Sequence, residues 1–571
     1  MSFNRLPASM QGFLAQLCVF RGGWTLAAAE TVCGADALEC LSQLHEQSLV
    51  VVDEMSGEQR YRLLESIREF GRERLVESGL VAEFRERHAG YYLSLAESAG
   101  QHLAGSEQSR WLACLDSDLG NLRTAMEWSL ERPNAAPGLR LGGALCKYWE
   151  IRGLLREGRA FLSQILDVRD ETVMPASRAA ALNGAGALAY RQGDYAAAKE
   201  LIEKSVELYR PSSDRCGQAH SHNNLGLVVQ EIGRIDEARE HYETSLAIER
   251  DIGNLAGVAR SLNNLGNIAA DRGDLLDAKA LYEEALQLHR DRGDQVQQSG
   301  VLNNLGTVVA DLGDLEAAYG LFESALAINR ELGDRWGVGN SLGNLGIVAV
   351  ARGETSIARD AYEEALVINR EVGNRAGEAR NLHNLGGIAI VQSQFNEARR
   401  LLNDSLALQR TLGDRHNMAN TLRELGRIAL RTGDRNAAIR YQMESLTVSS
   451  ELGDKLGIAR SLANLGFVAE AAGDQARAVR LLAAHDGLRT EIGAPVTPRE
   501  DDDYNESMRR LRGDLTESAF RAAYAEGLAM THIQAVDHAL NEIESRPEDL
   551  LQSHAGPTKY PRLESDQRPT A

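Results

Sequence analysis

No run of eighteen apolar residues occurs anywhere in the 571-residue sequence, and its start, MSFNRLPASM, lacks a basic stretch followed by an apolar segment. Both absences argue against a membrane-spanning helix and a secretory leader, and predict a soluble, cytoplasmic protein without membrane contact. Cysteine is scarce. Cys18, Cys33, Cys40, Cys114, Cys146 and Cys216 form no CxxC pair and no framework spacing, which fits reduced thiols and neither a disulfide scaffold nor a zinc module. Positive charge is short too: the formal net charge is −20, so nonspecific attraction to nucleic acid is disfavoured except at a local basic patch. Only a handful of the cations are lysine.

Motifs that carry chemistry are also missing. There is no GxxxxGK[ST] loop to cradle phosphates, no HExxH, no GxSxG and no cysteine at motif spacing from a base. The expectation is a non-enzymatic protein with no cofactor and no metal. His220 and His222 do not change this: two residues apart on a helix they point about 200° away from each other. His222 occupies a slot held by Leu262, Leu302 and Leu342 in other segments, and reads as a core side chain.

What the sequence does hold is a repeat. SLNNLGNIAADRGDLLDAKALYEEALQLHR, residues 261–290, returns forty residues later as GVLNNLGTVVADLGDLEAAYGLFESALAINR. A glycine recurs at 186, 226, 266, 306, 346, 386, 426 and 466, and an alanine follows each by twelve residues, from Ala198 to Ala478. A large residue comes four later, as in Tyr242, Tyr282, Phe322 and Tyr362, and a small one three after that, as in Ser245 and Ala285. These are helical spacings. RGD at 272–274 and LGD at 312–314 supply glycine to end one helix and aspartate to cap the next. Each unit is thus two antiparallel helices, A and B, that stack on their neighbours.

The order Leu-Gly, then Ala, aromatic, Ala resembles the tetratricopeptide repeat, in a forty-residue form that lacks the usual helix-ending proline. The predicted fold class is an all-α tetratricopeptide-repeat solenoid preceded by a small winged-helix domain. A winged-helix-like module is placed at 1–79, with helices in LAQLCVF, WTLAAAETV and ALECLSQLHEQS and a hairpin in LVVVDEMSGEQRYRLL that turns at Ser56-Gly57. A helical connector follows at 80–135, a degenerate repeat at 136–175, eight repeats at 176–495, capping helices at 496–545 and a disordered tail at 546–571.

FRGGWTLAAAETVCG, LSQLHEQSLVVV, YRLLESIREFGRERL, RHAGYYLSLAE and LDSDLGNLRTAMEWSLE together resemble the segment that follows the nucleotide-binding core in STAND-class (NB-ARC type) signalling ATPases. That resemblance implies a part in signal transduction or transcriptional control. It also implies an ATPase that is either encoded upstream or supplied by a separate partner. The third helix, from Asp36 to Ser48, contains no Arg or Lys; a packing role is therefore expected for the module, without direct nucleic-acid binding.

The candidate site residues lie on helix A. One column holds Asn224, Asn264, Asn304, Asn344, Asn384 and Asn464, broken by Glu424; the column one residue earlier holds Asn223, Asn263 and Asn303. In related folds this slot faces a concave groove, where a carboxamide can donate to and accept from a peptide backbone. The alternative is that each amide bonds to the neighbouring helix and fixes the stacking. Arg423, Arg427 and Arg431 follow i, i+4, i+8 on one face, and Arg380 and Arg460 share a second slot near His383. Earlier units carry Glu231, Asp271 and Asp311 in the column of Arg431. A protein or peptide partner with an acidic segment is expected there. The function predicted is a protein-binding sensor of a regulatory ATPase system; the alternative is an assembly scaffold unrelated to signalling.

Overall fold

The computed structural model describes residues 6–55, 58–103, 107–170, 172–493 and 498–544. The expected turn at Ser56-Gly57 and the tail from 546 lie outside them. The chain forms two compact units, residues 1–312 and 313–571.

The first unit opens with α1 (Ala8–Leu17), β1 (Gly23–Thr25), α2 (Leu26–Cys33), α3 (Ala37–Glu46), β2 (Val50–Met55), β3 (Glu58–Leu63) and α4 (Glu65–Glu77). The antiparallel sheet has the order β1-β3-β2, with both Trp24 and Val52 opposite Tyr61. This is the element order of a winged helix. The segment WTLAAAETV is not helical throughout: Trp24 and Thr25 belong to β1, and the Thr25 side chain then caps α2 by accepting from the Ala28 amide at 3.2 Å.

The connector is α5 (Val81–His102), α6 (Gln108–Ser117) and α7 (Leu119–Glu131), followed by α8 (Ala136–Ile151) and α9 (Leu155–Asp167). One core runs from Leu6 to Leu188 and contains Trp24, Leu41, Tyr92, Trp149 and Leu162. The front module, the connector and the start of the array therefore bury their apolar faces together. A polar network is sealed inside. Arg60 on β3 donates to both oxygens of Asp118 at 2.7 and 3.1 Å, with side chains 6% and 4% exposed. The same carboxylate accepts from Tyr92 Oη at 3.2 Å and Asn121 Nδ2 at 3.0 Å. Asn121 also donates to the Gly23 carbonyl at 2.8 Å. A paired and fully hydrogen-bonded ion can persist in such a place, whereas a lone one could not.

The array in this unit comprises α10 (Pro175–Arg191), α11 (Tyr195–Tyr209), α12 (Arg215–Glu231), α13 (Ile235–Asp251), α14 (Leu255–Arg272), α15 (Leu275–Asp291) and α16 (Gln295–Asp311). The second unit continues with α17 (Leu315–Leu332), α18 (Arg335–Ala351), α19 (Thr355–Glu371), α20 (Arg375–Val391), α21 (Phe395–Leu412), α22 (Arg415–Arg431), α23 (Arg435–Glu451), α24 (Lys455–Ala471) and α25 (Gln475–Ile492). It ends in α26 (Pro498–Asp514), α27 (Glu517–Leu528) and α28 (His532–Glu544).

Two devices set the repeat. Helices end on a left-handed residue: Gly333 has φ 69° and closes α17, after which Asp334 caps α18 by accepting from the Gly337 amide at 2.9 Å. Inside each unit the glycine of helix A lies under the large residue of helix B. A Cβ on Gly226 would sit 2.6 Å from the Tyr242 ring, and one on Gly346 would meet the ring of Tyr362. Only glycine lets those two backbones approach so closely. Neighbouring units are joined by buried serines, as in Ser245 to Ser261 at 3.1 Å and Ser445 to Ser461 at 3.2 Å. At the end of the array α27 and α28 cover apolar surface: Phe520 and Ala523 pack with Val479 and Leu482, while Val536 and Ala539 pack with Leu481 and Leu488.

Candidate functional site

The asparagine columns behave differently in the two units. In the first, they bond to each other across neighbouring A helices. Asn224 Nδ2 donates to Asn183 Oδ1 at 3.1 Å, Asn264 to Asn223 at 3.0 Å, and Asn304 to Asn263 at 3.1 Å. Each amide of one column thus donates to the earlier column of the preceding helix A. Asn264 is 8% exposed, while Asn224 and Asn304 keep an accessible edge. A carboxamide has two donor hydrogens and an oxygen with two lone pairs, so the bond to Asn183 leaves capacity at Asn224, whereas Asn304 also donates to Asn267 at 3.3 Å.

In the second unit the earlier column reads Gly343, His383, Arg423 and Ala463. Asn384 and Asn464 therefore meet no asparagine in that column of the preceding helix A. Asn344 and Asn384 are half-buried, and Asn384 lines a cavity of about 380 Å³ with His383, Glu424 and Arg427. Asn464 turns instead to Gln442, donating to its Oε1 at 3.3 Å; Gln442 in turn donates to the Arg423 carbonyl at 2.9 Å. Gln442 takes the place of the tyrosine in other units, which is how Asn464 gains this partner.

A cavity of about 300 Å³ opens between α20, α22, α24, α25 and α26, and three of the five predicted arginines line it: Arg423, Arg427 and Arg460. His383 and Asn464 line it as well, and Ala463 and Phe467 form its apolar part. Arg423 is 7% exposed, and its guanidinium donates to Asn420 Oδ1. Arg427 donates to Glu424 at 3.2 Å. Arg431 lies in an adjoining cavity of about 560 Å³ shared with Arg427, Asn464 and Phe467. Arg380 is not with them; its Nη2 reaches Asn340 Oδ1 at 3.3 Å. The i, i+4, i+8 spacing on α22 and the forty-residue phase to α24 are thus what gathers the cluster.

Burial lowers the pKa of His383, and the neighbouring Arg423 lowers it further against an opposing pull from Glu424. The ring is therefore neutral near pH 7, with Nδ1 2.9 Å from Thr421 Oγ1. The lining charges are then three arginines against Glu424 and Asp503. A net positive cavity in a chain of net charge −20 is a local reversal of sign.

Sequence reasoning missed the residues that α26 contributes. Asp503 lies 3.6 Å from both Arg427 and Arg431, and Tyr504 packs against His485 with ring centroids 5.8 Å apart. The acidic run before Tyr504 is visible in the sequence, but nothing in the repeat period connects it to α22. In the first unit His222 does sit against a neighbouring helix, with Nδ1 3.1 Å from His241 Nδ1. Among the described residues no group of three or more His, Cys, Asp or Glu is arranged to hold a metal ion, and no helix is long and apolar enough to cross a membrane.

With paired helices, glycine-aromatic packing and a forty-residue phase established, the array belongs to the tetratricopeptide-repeat family. Models of that repeat match residues 178–210, 217–291, 297–371, 377–451 and 417–484. In sequence the chain is 36% identical over 168 residues to a candidate HTH-type transcriptional regulator of Mycobacterium tuberculosis, and equally to one of Mycobacterium bovis; the match covers 28% of this chain and 19% of either relative. The chain thus spans about a fifth of the length of the curated relatives it matches. In structure it resembles a signal transduction ATPase with numerous domains (STAND) protein with a tetratricopeptide repeat sensor from Pyrococcus horikoshii, with TM-score 0.58 and 14% identity over 79% of this chain and 64% of that one. At that identity the likeness is one of fold.

Proposed function

We propose that this protein is a non-enzymatic, cytoplasmic sensor that captures an acidic protein or peptide segment in the cavity lined by Arg423, Arg427 and Arg460, within a signal-transducing or transcription-regulatory ATPase system. The observation that carries the reading is the convergence of these three guanidinium groups with Asn464 and the apolar face of Phe467. Guanidinium forks match carboxylates in a bidentate fashion. Asn464, and Asn384 in the adjoining cavity, offer donors and acceptors for a main chain.

Magnitudes favour a charged partner over a neutral one. Ordering a flexible segment costs about 2–5 kcal/mol, and neutral hydrogen bonds return about 1 kcal/mol each. Bonds to charged groups return about 1.5–3 kcal/mol each, so two arginines offset the ordering cost and the third, with Phe467, sets the affinity. The negative chain repels acidic segments elsewhere and draws them to this point. The resemblance to a STAND protein with a tetratricopeptide sensor, and to regulators named for an HTH domain, supports placing the capture step in a regulatory assembly.

The test is fluorescence anisotropy of a labelled octaglutamate peptide with the full chain. Micromolar binding is expected, falling at least about tenfold in Arg423→Ala/Arg427→Ala. Equal affinity for the double variant would remove the reading. Co-purification of an ATPase from the source cells separates the sensor from a scaffold unrelated to signalling, for which structural subunits would co-purify instead.

A further inference from the structure

The basic cluster already has a visitor from its own chain. Asp503, in the first half of α26, stands between Arg427 and Arg431 at 3.6 Å from each. Tyr504 beside it lines the same cavity as Arg423 and Phe467. We propose that this acidic-aromatic step is a resident pseudo-ligand: it occupies the place of an incoming carboxylate, and the true partner carries an acidic residue next to an aromatic one and displaces Asp503 on binding. The inference rests on the acidic-segment reading above and names both the partner's chemistry and the internal competitor that regulates access.

Geometry makes the displacement feasible. At 3.6 Å both Asp503 contacts lie beyond hydrogen-bond reach, and their side chains are 24–42% exposed. An external carboxylate that closes to ordinary charge-assisted distance makes stronger bonds to the same guanidinium groups. The helix itself is held by other side chains, Tyr504 among them, whose hydroxyl donates to Asp486. Ser507 donates to Glu470 at 2.5 Å, Arg510 donates to the same carboxylate at 2.7 Å, and Leu511 is fully buried against the array. Asp503 can release the arginines while these anchors keep the second half of α26 in place. The device is a competitor with a short stroke, and it weakens every acidic ligand by the fraction of time it is seated.

The experiment uses the full chain and a labelled synthetic peptide, EDDDYNESM, which copies residues 500–508. Asp503→Asn removes the competing charge without changing shape, and is expected to bind the peptide about fivefold more tightly than the wild type. Asp503→Glu restores the charge and should return the affinity to within about twofold of wild type. Arg427→Ala/Arg431→Ala should lose binding in either background. Equal or weaker binding by Asp503→Asn, with the wild type still binding, overturns the resident competitor and leaves the acidic-segment reading standing. Binding by neither protein, with circular dichroism showing both folded, overturns that reading itself.

Discussion

The two units fill the same helix-A positions with different side chains. In residues 1–312 the paired columns are asparagine on both sides, and their amides satisfy each other across neighbouring helices. In residues 313–571 one side becomes Gly343, His383, Arg423 and Ala463, and cavities lined by arginine and amide groups lie there. One ion pair from each unit makes a second contrast: Arg60 and Asp118 are sealed at 2.7 Å, while Arg427 and Asp503 face each other across 3.6 Å, partly exposed. Polar side chains that neutralise one another build structure.

The contrast can be broken most severely at the buried ion pair. Arg60→Ala should destabilise the first unit by about 3–5 kcal/mol, because it leaves the Asp118 carboxylate uncompensated inside the core. Arg427→Ala, at the exposed pair, should change stability by less than about 1 kcal/mol. Urea unfolding of both variants checks the difference.

Acid is the next largest lever. Burial pushes the His88 pKa down to about 4, aided by the charge of Arg85 and opposed by the bond to Asn121. Its ordinary value is 6.5, so the unfolded chain takes up a proton before the folded one does. Stability is then whole above about pH 6.5 and falls as the pH drops through the window to about 4. At about 1.4 kcal/mol per unit the loss approaches 3 kcal/mol. His88→Gln should flatten that part of the stability-pH curve measured by urea titration.

A smaller effect is expected within the amide columns. Asn223→Leu deprives the buried Asn264 of its acceptor and should cost about 1–3 kcal/mol. Asn384→Ala, where no such bond exists among the described residues, should stay within about 0.5 kcal/mol. Thermal melts compare the two. The comparison can also be sharpened by converting one unit toward the other. A Cβ on Gly343 meets only ordinary contacts at 3.6 and 3.8 Å, so Gly343→Asn should fit, give Asn384 an acceptor and stabilise the protein by about 1 kcal/mol.

Much of this architecture is legible in the sequence because it depends on local rules. The glycine-to-aromatic interval fixes which backbones touch, and Gly-Asp steps fix where helices stop. Strand β1 was not legible: three residues are too few to show alternation, and Trp24 is held there by pairing with Tyr61 on a distant strand. The asparagine columns stood out, but which neighbour each amide bonds depends on the offset between stacked helices, which spacing along one helix does not reveal. Arg423, Arg427 and Arg460 could be grouped by phase. Asp503 could not, because α26 lies beyond the last repeat and its place against α22 is set by Leu511 and the Glu470 contacts.

The left-handed stops at Gly233, Gly253, Gly273, Gly293, Gly313, Gly333, Gly353 and Gly373 continue through Ser393, whose φ is 59°, to Gly413 and onward to Gly493. An even beat of this kind has a genetic consequence. Duplicating or deleting a whole repeat in the coding sequence leaves every remaining stop in step with its cap, so such arrays can change length by recombination between their own copies while single-residue insertions are resisted.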